Sequence, residues 1–290
     1  MRKLLKIRFD NKDAYLEDGK IYVDFLPEPI IVDEFMEDGS YLCHYNDALV
    51  YFKKSNKGDF YTNLFGKQID PLCFVSDAMD SVFCLVSRNA NTSIVLSGLF
   101  AEGLTEVDNY SNDKFLWHDK KLMQICNTNG YITKLSKIVH KNFKNHYLVI
   151  DEPKKRFVRA LNKILVEPSL LKVNEDLKEV GKEKEFINEM LTFADLCEND
   201  EHFIWERHLG IQSTYYEKCK EFYPEWTFIK LSDLPQWWEK TFNSKWLKNN
   251  VSTPEQKRIS LSDLDESQMK KLEKLVEKDV KLWLEVTSKD

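Results

Sequence analysis

From residue 82 onward, three short apolar runs are each followed by a helix start, and this alternation constrains the fold more than any other feature of the chain. Val82-Phe83-Cys84-Leu85-Val86 is unbroken by polar residues, as a strand covered on both faces should be. A small-polar turn follows, and Ile94, Leu96, Leu99 and Leu104 then space out as one helix face. The second run, Tyr147-Leu148-Val149-Ile150, is followed by Asp151-Glu152-Pro153 and a basic amphipathic helix beginning near Lys154, with a proline suited to a first helical turn. The third run, Trp226 to Leu231, leads into Ser232-Asp233-Leu234-Pro235, a helix-start signal. Strands that alternate with helices bury a parallel sheet between helical layers. The expected fold class is therefore α/β, a P-loop-like three-layer sandwich with a central parallel sheet over residues 81–290.

The first eighty residues follow a different rule. Lys3 to Phe9, Ile21 to Phe25, Tyr41 to His44 and Leu49 to Phe52 are short β segments, broken by turn chemistry at Asp18-Gly19 and at Pro27 to Pro29. They predict a β-rich N-terminal appendage over residues 1–80. It carries no evident chemistry, and His44 within it reads as a structural histidine. At the other end, Leu264, Met269, Leu272, Val276, Val280 and Trp283 share one stripe, which predicts a terminal amphipathic helix packed on the domain. The charged stretch from Val173 to Lys184 reads as a solvated helix or loop.

With 290 residues, 42% of them hydrophobic, the chain can bury a sizeable core. Its net charge of −6 is built from interspersed signs, whereas a dedicated nucleic-acid binder shows a clustered basic excess. No sequence window has the length and apolarity of a membrane span. Met1 to Arg8 lacks the apolar stretch of a secretory signal. The six cysteines include no C-x-x-C pair, so neither a zinc site nor a redox motif is signalled, and free thiols in a reducing cytoplasm are expected. On that reading Asn91-Thr92-Ser93 and Asn250-Val251-Ser252 are chance glycosylation sequons.

Chemistry concentrates between the first strand and its helix. In Val86-Ser87-Arg88-Asn89-Ala90-Asn91-Thr92-Ser93-Ile94 a small-polar turn leaves helix-start N–H groups pointing into one cavity, which suits an anion. Arg88 adds full charge, and Thr92 and Ser93 add hydroxyl donors. The same residues also fit a plain helix capped by asparagine, threonine or serine. A Walker loop is excluded, since G-x-x-x-x-G-K-[ST] is absent and the segment has no glycine before Gly98.

This segment resembles the P-K-x-A-S-T-S donor loop of the carbohydrate sulfotransferases that use PAPS (3′-phosphoadenosine 5′-phosphosulfate). Arg88 stands where that family has lysine, Ala90 where it has alanine, and Thr92-Ser93 where it has the hydroxyl pair; Ser87 replaces the proline and Asn91 the first serine. Val149 to Lys163 is similar to the family's second motif, V-R-D/E-P-x-x-R-x-V-S-A-x-x-N-K, with Asp151 in place of an arginine and Arg159 in place of the phosphate-binding serine. Glu201 to Ser213 resembles the H-W-x-P-Q segment through His208 and Gln212, and Asp233-Leu234 and the C-terminal helix resemble the family's closing elements. The likeness spans roughly residues 82–285.

The resemblance implies an O-sulfotransferase in which Arg88, Asn89, Ala90, Asn91, Thr92 and Ser93 bind the donor's phosphosulfate, Arg156 and Arg159 its 3′-phosphate, and His208 and Gln212 the acceptor. No metal is required for such a transfer. A base must take the acceptor's proton. His118, in Phe115-Leu116-Trp117-His118-Asp119, is the candidate, because aromatic neighbours narrow a cleft and a neutral imidazole is a competent base. His140 and His146 lie among lysines and are expected to be exposed, and Glu102 and Glu106 lie nearer the loop. The acceptor is expected to be a small molecule or glycan. A nucleotide-dependent kinase of related topology and a catalytically inactive glycan- or nucleotide-binding protein are the alternatives.

Overall fold

The structure is a computed structural model that describes residues 2–7, 13–24, 26–46, 48–54, 58–62, 67–68, 70–109, 120–166, 181–198, 203–204, 209–248 and 259–288. The chain divides into two compact units, one of residues 1–68, 163–209 and 262–275, the other of residues 69–162, 210–261 and 276–290.

Seven strands, β1 (Lys3–Lys6), β2 (Asp13–Glu17), β3 (Lys20–Val23), β4 (Ile30–Phe35), β5 (Tyr41–Tyr45), β6 (Ala48–Lys54) and β7 (Phe60–Thr62), form the first unit's antiparallel sheet in chain order. Alternation sets its inner face: Ile21 and Val23 are buried while Lys20 and Tyr22 are exposed. Asp18 and Gly19, both at positive φ (49° and 73°), make the tight turn between β2 and β3, as an Asp-Gly pair predicts. A parallel bridge from Ile7 to Phe60 links the chain beyond β1 to β7, so the sheet curls around an interior of Leu5, Ile21, Ile30, Tyr41, Cys43 and Phe52. A short strand, β8 (Lys67–Gln68), belongs to the same unit.

The second unit holds a five-stranded sheet built from β9 (Leu72–Ser76), β10 (Ser81–Cys84), β11 (Ile132–Lys134), β12 (Asn145–Ile150) and a last strand at Thr227–Lys230. Along this part of the chain run α1 (Asn91–Ala101), α2 (Lys120–Thr128) and α3 (Pro153–Val166). Beyond them come α4 (Glu183–Glu198), β13 (Phe203–Ile204), α5 (Gln212–Lys220), β14 (Thr227–Lys230), α6 (Leu234–Phe242), α7 (Glu266–Leu275) and α8 (Glu277–Thr287). In the first unit, β13 pairs with β8, and Lys184 of α4 reaches Asp265 ahead of α7 at 2.8 Å.

The strand order β11-β9-β10-β12-β14 overturns the expected P-loop-like sandwich with a central parallel sheet. β10, β12 and β14 are parallel, but β9 lies antiparallel between β11 and β10, so the sheet is mixed. The physical cause is the turn Asp77 to Asp80, with Asp80 at φ 46°: a connection this short between two apolar runs can only produce an antiparallel pair. The terminal stripe likewise does not form one helix but breaks at Val276 into α7 and α8.

The other boundaries follow the sequence signals. Pro153 opens α3, and α6 begins after Asp233 with proline in its first turn. Phe83 of β10 sits among Tyr147, Trp238 and Phe242, at ring-centroid distances of 5.0, 5.2 and 5.9 Å. Burying each large apolar side chain of this kind contributes roughly 1.5–3 kcal/mol. α1 is buried from Ser93 to Leu99, and a Cβ at Gly98 would run into the Phe74 ring of β9, so only glycine lets the helix approach there. The loop that follows β10 is thereby set on a fixed base.

Candidate functional site

Between Cys84 and Asn91 the chain leaves β10 and enters α1 through two residues with left-handed φ, Arg88 at 71° and Ala90 at 60°, while Asn89 between them keeps an ordinary φ. Such an alternation turns successive backbone N–H groups to one side, a concavity that suits anions. Left-handed backbone is unfavourable for residues with a Cβ, so the surroundings must hold it. Asn91 Nδ2 donates to Leu85 O at 3.2 Å, the Asn89 amide donates to Val86 O at 3.1 Å, and Arg156 Nε donates to Ser87 O at 3.2 Å. Asn89 Nδ2 donates to Val149 O in β12 (2.6 Å) and to Gln212 Oε1 at the start of α5 (2.7 Å). The loop is therefore tied to β12, α3 and α5 together. Ala90, at the N-cap of α1, gives no side-chain cap, and the first-turn N–H groups have no acceptor within the helix.

Gln212 is the hub of this framework. Its Oε1 also accepts from the Asp151 amide (2.8 Å), and its Nε2 donates to Asp151 O (2.9 Å), so one side chain grips the backbone of Asp151 from both sides. Its own amide and that of Ser213 donate to Asp279 Oδ2 and Oδ1, at 2.8 and 2.7 Å. Asp279, on α8 and 1% exposed, thus caps α5, where a carboxylate also meets the positive end of the helix.

The charges are close together and mostly buried. Arg156 is 2% exposed; burial lowers its pKa, and the charge of Asp279 opposes that shift. Its Nη2 has no hydrogen-bond partner among the described residues. Arg159 pairs with Asp151. Burial pushes the Arg159 guanidinium down to about 10, with the neighbouring charge of Arg88 acting in the same direction. Three arginines set against Asp151 and Asp279 leave one net positive charge beside the loop.

Of the residues singled out from sequence, Arg88, Asn89, Ala90, Asn91, Thr92, Ser93, Arg156, Arg159 and Gln212 are all in this part of the second unit. Arg88, Ala90, Asn91 and Thr92 are half-buried, while Ser93, Asn89 and Gln212 are buried. Asn89 and Gln212 use their amides on the framework. His118 and His208 lie outside the described residues. His140 is exposed. His146, expected to be exposed, is instead half-buried and stacked on Tyr223 at 4.1 Å, with Trp226 at 5.5 Å. Glu102 accepts from Ser76 Oγ and from the Ala78 amide, which fastens the β9–β10 turn, and Glu106 is exposed. His44 pairs with Asp33 at 2.6 Å on the first unit's sheet.

From sequence, Asp279 is one position of the C-terminal helix that resembles the family's closing element, and its capping role is not visible there. It looks like one more charge on an amphipathic helix, and its partners lie 66 and 67 positions away. Among the described residues there is no cluster of three metal-ligating side chains and no helix long and apolar enough to cross a membrane. No protein-family model, curated protein or solved structure matches the chain.

Proposed function

We propose that this chain is a cytoplasmic sulfotransferase that takes the sulfuryl group of PAPS and passes it to a hydroxyl of a carbohydrate-type acceptor, with the donor's phosphosulfate at the Leu85 to Ala90 loop. One observation carries the reading: Arg88, Arg156 and Arg159 gather at a left-handed loop whose following helix has no side-chain cap. The donor supplies an activated sulfuryl group and a phosphate leaving group. Arg88 and the amides at the start of α1 offset negative charge that grows on that phosphate, the role fixed donors play best in a preorganised site. Arg156, whose Nη2 lacks a partner among the described residues, has a buried donor left for a ligand oxygen. Thr92 and Ser93 add hydroxyl donors at the same helix start. His118 is assigned as the base that takes the acceptor proton, and His208 is assigned to the acceptor side.

The Asp151–Arg159 pair favours a second reading, a nucleotide- or glycan-binding protein without transfer activity, because with Asp279 acting on Arg156 two of the three cations already have an internal counter-ion. Calorimetry with 3′-phosphoadenosine 5′-phosphate, alongside a sulfate-transfer assay over an acceptor panel, separates the cases. Binding with transfer is the expected result. Binding without transfer to any acceptor favours the second reading, preference for ATP with magnesium favours a kinase, and binding of neither nucleotide overturns the sulfotransferase, the kinase and the nucleotide-binding form of the second reading.

A further inference from the structure

Three buried cysteines meet beneath the loop: Cys73 on β9, Cys84 on β10 and Cys219 in α5, with exposures of 0, 1 and 0%. Cys73 and Cys84 are direct cross-strand partners in the antiparallel β9–β10 pair. The Leu85 amide donates to Leu72 O at 2.8 Å, one residue outside that pair on each strand. Cys73 and Cys84 therefore occupy a non-hydrogen-bonded position, where facing Cα atoms are closest, about 4.5 Å apart, and side chains converge. That spacing lies within the range a disulfide spans without backbone movement. Cys73 Sγ donates to Pro71 O at 3.7 Å; within the trio, side-chain hydrogen bonding with Cys219 and Cys73 lowers the Cys84 pKa, so negative charge on sulfur is favoured there, while burial pushes the other two thiols up.

We propose that Cys73 and Cys84 form an oxidation site in which a small peroxide converts the facing thiols into a cross-strand disulfide, independently of any donor binding at the loop above. Cys84, as thiolate, attacks one peroxide oxygen and breaks the O–O bond, giving a sulfenic acid and, after protonation, one water. Cys73 sulfur then attacks the Cys84 sulfur and expels the hydroxyl as a second water. In total, two thiols lose two electrons and two protons, and one hydrogen peroxide is reduced to two waters. The register selects Cys73 over Cys219 as the partner, because Cys73 already faces Cys84 across the strand pair.

The test treats the reduced full-length chain with hydrogen peroxide, alkylates the remaining thiols after denaturation, and maps peptides without reductant. The expected result is a single Cys73–Cys84 crosslink with four of the six cysteines alkylated and Cys219 among the four. The Cys219→Ser variant should form the same crosslink. Six alkylated thiols after peroxide treatment would overturn the proposal, as would a crosslink joining Cys84 to Cys219 while Cys73 stays free. The wild-type map decides the matter even if a variant fails to fold.

Discussion

The two sheets of this chain bury different chemistry. Among the described residues, the first unit's curled sheet encloses apolar side chains, with Ser40 and Thr62 as its buried polar groups. The second unit buries Asn89, Asp151, Arg156, Gln212 and Asp279 around the loop that leaves β10. Burying charge costs free energy unless each group is paired and hydrogen-bonded, so a scaffold with no other task would be built like the first sheet. The contrast singles out the loop that leaves β10 as the place in the second unit where buried polar side chains gather. It also explains how two left-handed residues persist at Arg88 and Ala90: a network from three other elements holds them.

The contrast breaks most visibly at Arg156. Replacing it with methionine, of similar length and no charge, leaves Asp279 without its cation and Ser87 O without its donor, and should cost about 3–5 kcal/mol in denaturant unfolding. A loss below 1 kcal/mol would mean that the buried charges are not coupled. Gln212→Ala comes next. It leaves the Asp151 amide without its acceptor and should cost about 1–3 kcal/mol, with weakened anion binding even though the residue is buried.

The smallest effect belongs to His146, whose pKa burial holds below the ordinary value of 6.5. Above that value histidine is neutral in both states and no difference arises. As pH falls through it, the unfolded chain takes up a proton that folded His146 resists, so stability declines toward acid. His146→Phe should remove part of that decline and leave stability at pH 8 nearly unchanged; an unaltered acid limb of the stability profile would refute the assignment.

Local chemistry was readable where one segment decides its own structure. Asp18-Gly19, Pro153 and Asp233-Leu234-Pro235 mark their turns and helix starts, and the turn between the apolar run at Val82 and the helix that holds Ile94 lies where the sequence puts it. Orientation was not readable, since Leu72 to Ser76 is an apolar run whose direction depends on the Asp77 to Asp80 turn, and the same residues could have ended the N-terminal sheet. The framework was hidden for a different reason. Asn89 and Gln212 lie 123 positions apart, and nothing near either residue announces the other. Gln212 was singled out as an acceptor contact, but its place in the fold is a clamp on Asn89 and Asp151.

The central claim is that the Leu85 to Ala90 loop binds the anionic end of a nucleotide donor. Calorimetric titration of 3′-phosphoadenosine 5′-phosphate into the wild-type chain and Arg88→Ala, with thermal unfolding recorded for both, tests it directly. Loss of one charge-assisted contact of about 1.5–3 kcal/mol predicts binding weakened roughly ten- to a hundredfold at unchanged fold stability. Equal affinity in the two proteins would contradict the account.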